Sequence, residues 1–557
     1  MKFPIRYIPL AALLFPAGLA AQTQQPDTAL TRTVVVEQEY APLIQDAAKV
    51  NVLPRVEEPV VTPKNVEYDT APLAATQIPA DTLPSYAARE TPDKATPGYV
   101  RLGYGNLGNL DVYADYLFRL SRRDRLGVTV GVQGMDGEQE VDGVFPFYQP
   151  TETDWDAYDY RTRAALDYTH RFSRVDLNLA GRFGLRNFNR LSDLAPGKQK
   201  FTSGDVHLGL ASTDEGLPVQ FRAETNLLLY QRQRGLDYED AREVAVRTEA
   251  EAWGSLGGGQ TVGAALRMDN VVYRHNLYED YTALSLTPYY AYEGNGWTFR
   301  AGVNVDPVFG FGREFRVSPD MQVQYAFPAR VVLYAQTKGG RLLNDFRRLE
   351  AINPYADPAG QLESTYELVN AAAGVRVGTL SGFGLHVYGG YQSLEDDTYF
   401  RSPSYYSVSS YYPTPYALEI LTQDTRNFYA GAELTYSYRD IVTLTGRGTY
   451  RNWSADEGGS EQDVLAFKPT FEGDFRLEAR PISPLRVYVG YRHIEREGSV
   501  GMIVDPVSNL YAGGAYDLYR GLGVYVRLDN LLDKDYRYDW YYPTQGFNVL
   551  VGVTYRF

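Results

Sequence analysis

The sequence predicts an all-β fold: one transmembrane antiparallel β-barrel of about 22 strands, preceded by a short extended N-terminal segment. Three observations point to this fold. The chain begins with a secretory signal, and apolar and polar residues alternate from Gly98 to Phe557. Short and long connections also follow each other in regular succession between the predicted strands. Alternation of period two gives a strand one apolar and one polar face. A barrel in a bilayer uses both, because one face contacts lipid and the other a wet interior.

Residues 1–21 have the composition of a cleaved secretory signal peptide. Lys2 and Arg6 form a basic start, a mostly apolar run follows, and Ala20 and Ala21 offer small residues for cleavage. A membrane anchor is the weaker interpretation, because the apolar run is too short to cross a bilayer and contains two prolines. The signal predicts export from the cytoplasm.

The next stretch, residues 22–97, predicts an extended periplasmic arm rather than a folded domain. Eight prolines from Pro54 to Pro97 prevent long helices and central strands. Within the arm, residues 33–36 (Thr-Val-Val-Val) have high strand propensity. The chain therefore divides into a signal peptide (1–21), an arm that is a candidate minimal plug (22–97) and a barrel (98–557).

The last strand has the clearest alternation. Its apolar residues occupy every second position, and the residues between them are mostly small or polar. We expect the apolar set to face lipid on the strand that closes the barrel; it consists of Val549, Val551, Val553, Tyr555 and Phe557.

The connections give an independent estimate of strand number. Ten tight turns alternate with longer links, and ten turns imply 22 strands if the first strand begins and the last strand ends on the turn side. The tight turns fall at 121–125, 173–174, 214–216, 257–260, 294–296, 328–330, 381–382, 438–440, 481–484 and 520–521. The longer links fall at 136–159, 189–200, 234–240, 343–365, 397–426, 454–465, 497–508 and 534–547.

Composition excludes several functions. The 54 Lys and Arg against 69 Asp and Glu give a net charge of −15, which disfavours nucleic-acid binding. The absence of cysteine excludes disulfides and thiolate metal sites. Five scattered histidines form no metal-binding spacing, and the sequence carries no nucleophile elbow or phosphate-cradling loop. We therefore predict neither an enzyme nor a cofactor or metal site.

A pattern near the C-terminus resembles the closing hairpin of TonB-dependent receptors. It runs through residues 528–536 (Leu-Asp-Asn-Leu-Leu-Asp-Lys-Asp-Tyr) and ends in Tyr555-Arg556-Phe557. Barrels of 22 strands are also typical of such plugged transporters. Thr33, Val34, Val35 and Val36 are similar to a TonB box, the short strand that these receptors offer to an energy-coupling protein. The resemblance implies a Gram-negative outer-membrane protein that takes up a nutrient and contacts a TonB-like partner.

The chain departs from that family ahead of the barrel. Fewer than 80 residues separate the signal from the first strand, and they lack the glycine-rich strands of the family's plug domain. A barrel of this width would leak if its lumen stayed open. We expect the lumen to be filled by residues 22–97, by inward folding of the loop at 397–426, or by a partner protein.

Two predicted loops are rich in aromatic residues. They could form a platform that binds sugars or a protein partner, since Tyr and Trp are enriched at interaction hot spots. The alternative is the aromatic girdle of a membrane barrel, which is favoured for the residues nearest the strands. The candidate recognition residues are Tyr405, Tyr406, Tyr411, Tyr412, Trp540, Tyr541 and Tyr542.

Two functions remain open at this point. The first is uptake of a nutrient across the outer membrane, with a TonB-like protein as partner. The second is a non-transporting scaffold that holds a surface lipoprotein or another outer-membrane protein. Either protein would lie among outer-membrane lipids, where acidic residues of the outer loops could bridge to lipopolysaccharide through divalent ions.

Overall fold

A computed structural model describes residues 96–557 apart from short gaps. The gaps are 142–152, 192–196, 215, 234–239, 275–277, 329, 359, 379–381, 402–417, 440, 457–460, 499–503 and 538–541. The predicted signal peptide and nearly all of the predicted arm therefore lie outside the described residues. Neither helix of the described chain is long and apolar enough to span a membrane.

The described residues form 23 strands and two short helices. The strands are β1 Gly98–Gly105, β2 Leu110–Arg119, β3 Asp124–Val141, β4 Thr153–Arg171, β5 Val175–Asn189, β6 Lys198–Ser212, β7 Gln220–Arg232, β8 Ala241–Gly257, β9 Gln260–Tyr273, β10 Tyr281–Gly294, β11 Trp297–Gly310, β12 Phe315–Phe327, β13 Val331–Leu342, β14 Ala356–Pro358, β15 Thr365–Gly378, β16 Phe383–Arg401, β17 Leu418–Tyr438, β18 Val442–Ala455, β19 Pro469–Ile482, β20 Leu485–Arg496, β21 Val507–Tyr519, β22 Leu522–Asp529 and β23 Asn548–Arg556. The helices are α1 Phe346–Ile352 and α2 Glu461–Leu465.

All strands except β14 form one closed antiparallel barrel. Each strand pairs with its neighbours along the chain, and β23 returns to β1 in a register that runs from Tyr99–Arg556 to Gly105–Leu550. The predicted barrel of about 22 strands is confirmed. The three-residue β14 pairs in parallel with β17 and is not part of the wall.

The alternation of connections follows the prediction. Each of the ten predicted tight turns joins two strands that pair with each other, and Gly98 N–H donates to Phe557 O (3.0 Å) at the same end of the barrel. We call this the turn end and the opposite end the loop end. Two predicted loops were too long: β3 and β4 pair as far as Val141–Thr153, and β16 and β17 as far as Arg401–Glu419. Polar side chains do not stop strand pairing, so the hairpins extend further than the composition suggested.

The two faces of the wall differ sharply in exposure. On β23, Val551 is 58 % exposed and points outward, whereas its neighbour Leu550 is 1 % exposed and points inward. Val553, Tyr555 and Phe557 are also exposed on the outer face. The outer face of the terminal strand is therefore apolar over its length, as lipid contact requires.

Among the described residues, the inner face of β7 is buried near the loop end and exposed near the turn end. Along the inner face of β7, the side chain of Arg222 near the turn end is 66 % exposed, whereas that of Arg232 at the loop end is 2 % exposed. Tyr230, one inward position below Arg232, is also buried. The inward residues near the loop end are therefore covered by further chain inside the barrel.

Candidate functional site

The chain that covers the loop end is the connection between β13 and β15. We call residues 343–364 the crossing segment; it contains α1 and β14. Its helix packs against β7 and β9, because Phe346 contacts the rings of Tyr230 (6.3 Å between centroids) and Tyr273 (5.5 Å). Its strand β14 pairs with β17. Three wall strands, β10 to β12, separate β9 from β13, where the segment begins, so the segment passes over the interior rather than along the wall.

Local sequence explains the helix. The Asp345 carboxylate accepts a hydrogen bond from Arg348 N–H (2.8 Å), which is an N-cap. Phe346, Leu349 and Ile352 share one face and are all buried. The helix ends at Asn353, whose extended backbone precedes a proline, and proline disfavours helix in the residue before it.

An apolar cluster joins the segment to the barrel. Phe346, Leu349, Ile352 and Ala356 supply the segment's part of it. Seven wall strands and two connections supply the rest, namely Met135, Trp155, Ala157, Phe188, Leu191, Phe201, Tyr230, Ala241, Leu418, Ile420 and Tyr542. Removing this much apolar surface from water is the main force that holds the segment in the lumen.

One of the predicted recognition residues belongs to this cluster. Tyr542, from the connection between β22 and β23, is 1 % exposed and stacks on Tyr355 with 3.8 Å between ring centroids and 8° between planes. Trp155 packs edge-on against Tyr542 at 5.5 Å. The structure therefore places Tyr542 in the interior, where it joins the last long connection to the crossing segment.

An ion-pair latch holds the far end of the segment. Asp357 accepts two hydrogen bonds from Arg190 (2.6 and 2.9 Å) and one from Arg232 (2.7 Å). Arg232 also donates to the carbonyl of Ala356 (3.2 Å). The Arg232 side chain is almost fully buried, so its charge depends on Asp357 for compensation.

A second set of contacts fixes α1. The Arg347 guanidinium binds both oxygens of Asp205 on β6 and the carbonyl of Leu229 (2.9 Å). Glu350 accepts a hydrogen bond from the Tyr230 hydroxyl and lies 3.7 Å from Arg186. Arg347 and Glu350 thus each meet the opposite charge on the wall.

Electrostatics keep the latch ionised. Burial raises the pKa of Asp357, but the guanidinium groups of Arg190 and Arg232 more than offset this and hold the pKa below its usual range. Asp357 lies in the connection rather than in a wall strand. It is therefore a carboxylate at neutral pH and in mild acid.

The remaining predicted site residues fall outside the described chain. These are the TonB-box-like Thr33, Val34, Val35 and Val36 and the loop aromatics Tyr405, Tyr406, Tyr411, Tyr412, Trp540 and Tyr541. Within the described chain, no group of three His, Asp or Glu side chains is placed to hold a metal ion.

Sequence reasoning missed the crossing segment. Residues 343–365 were predicted only as a long link, and 397–426 was named as the loop that could fold inward. A signal was present, because an Asp cap followed by apolar residues at three-residue spacing predicts an amphipathic helix with one buried face. A helix with a buried face needs a surface to pack on, and a solvated outer loop offers none.

Comparison with known proteins identifies the architecture. No protein-family model and no curated protein matches the chain. Among solved structures, it is similar to the FrpB iron transporter of Neisseria meningitidis, with a TM-score of 0.64 at 12% identity, over 84% of this chain and 83% of that one. The chain has the barrel fold of TonB-dependent receptors. A ferric enterobactin receptor of Pseudomonas aeruginosa matches with a TM-score of 0.61 at 13% identity over 83% and 80% of the two chains. The ferric-catecholate import receptor Fiu of E. coli matches with a TM-score of 0.59 at 9% identity over 84% and 82%.

Replacing Asp357 by Asn should loosen the crossing segment without opening the wall. The substitution leaves the buried Arg232 without a counter-charge, and we expect a local cost on the order of 3 kcal/mol, the lower end for a broken buried pair, since Asp357 is itself a quarter exposed. Hydrogen exchange of the α1 amides should then speed up by roughly a hundredfold. Glu363→Gln is the matched control, because Glu363 is a partly exposed residue of the same segment that lies 3.9 Å from Arg313. Equal exchange rates in the two variants would contradict the latch.

The same latch predicts a specific acid response. Since the pKa of Asp357 is below its ordinary value of about 3.9, its stabilising effect is fully present above that value and is lost only as the pH falls further, through the lowered pKa. The difference in α1 exchange between the wild type and Asp357→Asn should stay constant from pH 7 to pH 5 and close below pH ~3.9. A difference that closes already near pH 6 would assign the latch to another group.

Proposed function

We propose that this chain is a transport barrel of the Gram-negative outer membrane, and that the crossing segment closes its mouth and moves to admit a nutrient. The observation that supports the proposal is the way in which the crossing segment is attached to the barrel wall. Apart from the three-residue pairing of β14 with β17, the segment is held by side-chain contacts and not by the hydrogen-bond ladder of the wall. It can therefore leave while all 22 wall strands stay paired.

The orientation of the barrel supports a role at the cell surface. Membrane barrels of this type keep short turns in the periplasm and longer loops outside. The loop end then faces the environment, where the crossing segment is a barrier to an arriving solute. The acidic side chains of the β3–β4 hairpin, among them Asp136 and Glu138, extend into the same region and would contact lipopolysaccharide through divalent ions.

Energy for opening would come from the periplasm. We assign this role to Thr33–Val36, which would add as a strand to a TonB-like protein, because strand addition needs only an extended segment with free backbone groups. A photoreactive residue at position 35 should cross-link to that protein in living cells. A photoreactive residue at Val60, in the same arm, is the control and should give no such product. Equal products at both positions would contradict a specific box.

Single-channel conductance in planar bilayers tests the seal directly. A chain that begins at residue 98 should stay closed, because the crossing segment belongs to the barrel. Replacing residues 346–358 by a glycine-serine linker should open a large, steady pore, since the interior of a 22-stranded barrel exceeds what wall side chains fill. The same linker in place of residues 402–417 is the control and should leave the chain closed. If the chain from residue 98 already conducts freely, the seal lies in the arm or in a partner, and the assignment to the segment is wrong.

A scaffold is the second candidate, and one observation favours it. The apolar face of α1 is buried as deeply as a protein core, with Phe346, Leu349 and Ile352 each about 5 % exposed or less. A permanent seal would suit a barrel that only holds partners on its loops. The scaffold function is supported if the linker variant opens the pore but the photoreactive residue at position 35 cross-links to no coupling protein. It also requires that a surface lipoprotein copurifies in fixed proportion.

A further inference from the structure

A cavity lies at the base of the crossing segment. It has a volume of about 210 Å³ and is bordered by β9, β10, β11, β13 and β15. Leu342 and Leu343, where β13 passes into the segment, form part of its lining. Pockets for drug-sized ligands span roughly 300–1,000 Å³, so this cavity suits a smaller molecule.

A β-bulge turns a carboxylate into this cavity. Leu368 and Val369 of β15 together face the single residue Gly339 of β13, so β15 has one extra residue here. Leu368 therefore points outward, and Glu367 points inward and lines the cavity. Without the extra residue, plain alternation would place Glu367 on the lipid side.

Among the described residues, only one of the two carboxylate oxygens of Glu367 is hydrogen-bonded. The residue is 6 % exposed, and its two hydrogen bonds, from Asn370 (3.0 Å) and Gln392 (2.6 Å), both reach Oε1. Within the described ranges, its second oxygen, Oε2, accepts no hydrogen bond and no cation lies within 4 Å of the carboxylate; the charge of Lys338 on β13 acts on it only from a greater distance. A buried carboxylate in this state is costly unless a positively charged group meets it.

An arginine on the neighbouring strand is in the opposite state. Leu333 of β13 points outward and Tyr334 inward, so plain alternation would turn Arg341 outward. Instead Arg341, which follows Gly339 and Gly340, lines the cavity and donates a hydrogen bond to the backbone carbonyl of Asp306 (2.9 Å). In the part of the chain that the structure describes, no carboxylate lies within 4 Å of Arg341, and the carboxylate of Asp306 acts on it only from a greater distance. Arg267, the other arginine of the lining, binds Asp269 at 2.9 Å.

We infer that the cavity binds a small zwitterion of the α-amino-acid type, with its ammonium on Glu367 and its carboxylate on Arg341. Gly340 pairs with Glu367 across the two strands, so the two charges come from adjacent positions of one wall. A ligand that carries both charges compensates both side chains at once. The asparagine side chain at position 304, which also lines the cavity, is already used, since it binds Thr287, Ser318 and Gly339. The inference concerns binding and goes beyond the transport proposed above.

Calorimetric titration of the purified full-length chain with three probes tests this site. L-Serine carries both charges, N-acetyl-L-serine lacks the ammonium, and L-serinamide lacks the carboxylate. We expect saturable binding of L-serine and at least tenfold weaker binding of each analogue. Glu367→Gln should remove the preference for L-serine over N-acetyl-L-serine, and Arg341→Gln should remove the preference over L-serinamide.

The controls separate the site from general effects. Glu363→Gln changes a partly exposed carboxylate outside the cavity and should bind L-serine like the wild type. Each variant is first checked for the heat-dependent shift in gel mobility of a folded barrel. If Arg341→Gln does not fold, the test rests on whether Glu367→Gln loses the preference for L-serine over N-acetyl-L-serine. No saturation by L-serine at millimolar concentration, or equal binding of all three probes, overturns the inference and leaves a cavity that holds only water. Because no transport is measured, the result does not depend on whether the barrel transports.

Discussion

The pairing of β1 with β23 is the constraint on which the rest of the molecule depends. In hydrocarbon an unpaired backbone N–H or C=O costs several kcal/mol, so a sheet can span a bilayer only when its last strand returns to its first. Seven residue pairs from Tyr99–Arg556 to Gly105–Leu550 make that return. Closure with 22 strands also creates an interior too wide for wall side chains alone to fill. The need for a filling segment thus follows from the same hydrogen bonds that make the wall possible.

The crossing segment fills the interior with groups that complement the polar inner face of the wall. Arg186, Arg190 and Arg232 stand on or beside the inner faces of β5 and β7, as the polar face of a membrane barrel requires. Covering them with an apolar peptide alone would bury charge without compensation. The segment therefore places Glu350 and Asp357 opposite these arginines and offers Arg347 to Asp205. Apolar burial supplies most of the attraction, and the ion pairs determine the register in which the segment sits.

The sequence predicts the wall well and its contents poorly, for a physical reason. Strand alternation and tight turns are local, so the ten turns yield the strand number and the alternation yields the face that Val551 and Val553 present. The destination of a long connection is not local, because Phe346 is buried only if Tyr230 and Tyr273, far away in the chain, form a surface that accepts it. Tyr542 illustrates the same limit. It belongs to an aromatic-rich loop that suits a surface platform, yet it stacks on Tyr355 inside the barrel. The bulge at Leu368 escapes prediction too, since one extra residue is visible only against the register of the strands beside it.

One irregularity of the backbone links the cavity to the closure. Gly340 has a φ of 142°, which side chains rarely allow, and a Cβ on Gly339 would lie 2.5 Å from both Ser318 and the carbonyl of Glu367. These two glycines turn Arg341 inward and come just before the point where β13 leaves the wall as the crossing segment. A group bound between Arg341 and Glu367 would touch Leu342 and Leu343, and any change of these two contacts on opening would change the free energy of the closed segment relative to the open one. If Leu343 moves with the segment, thermodynamic reciprocity requires that opening changes the affinity of the cavity by the same factor by which the ligand changes the closing equilibrium.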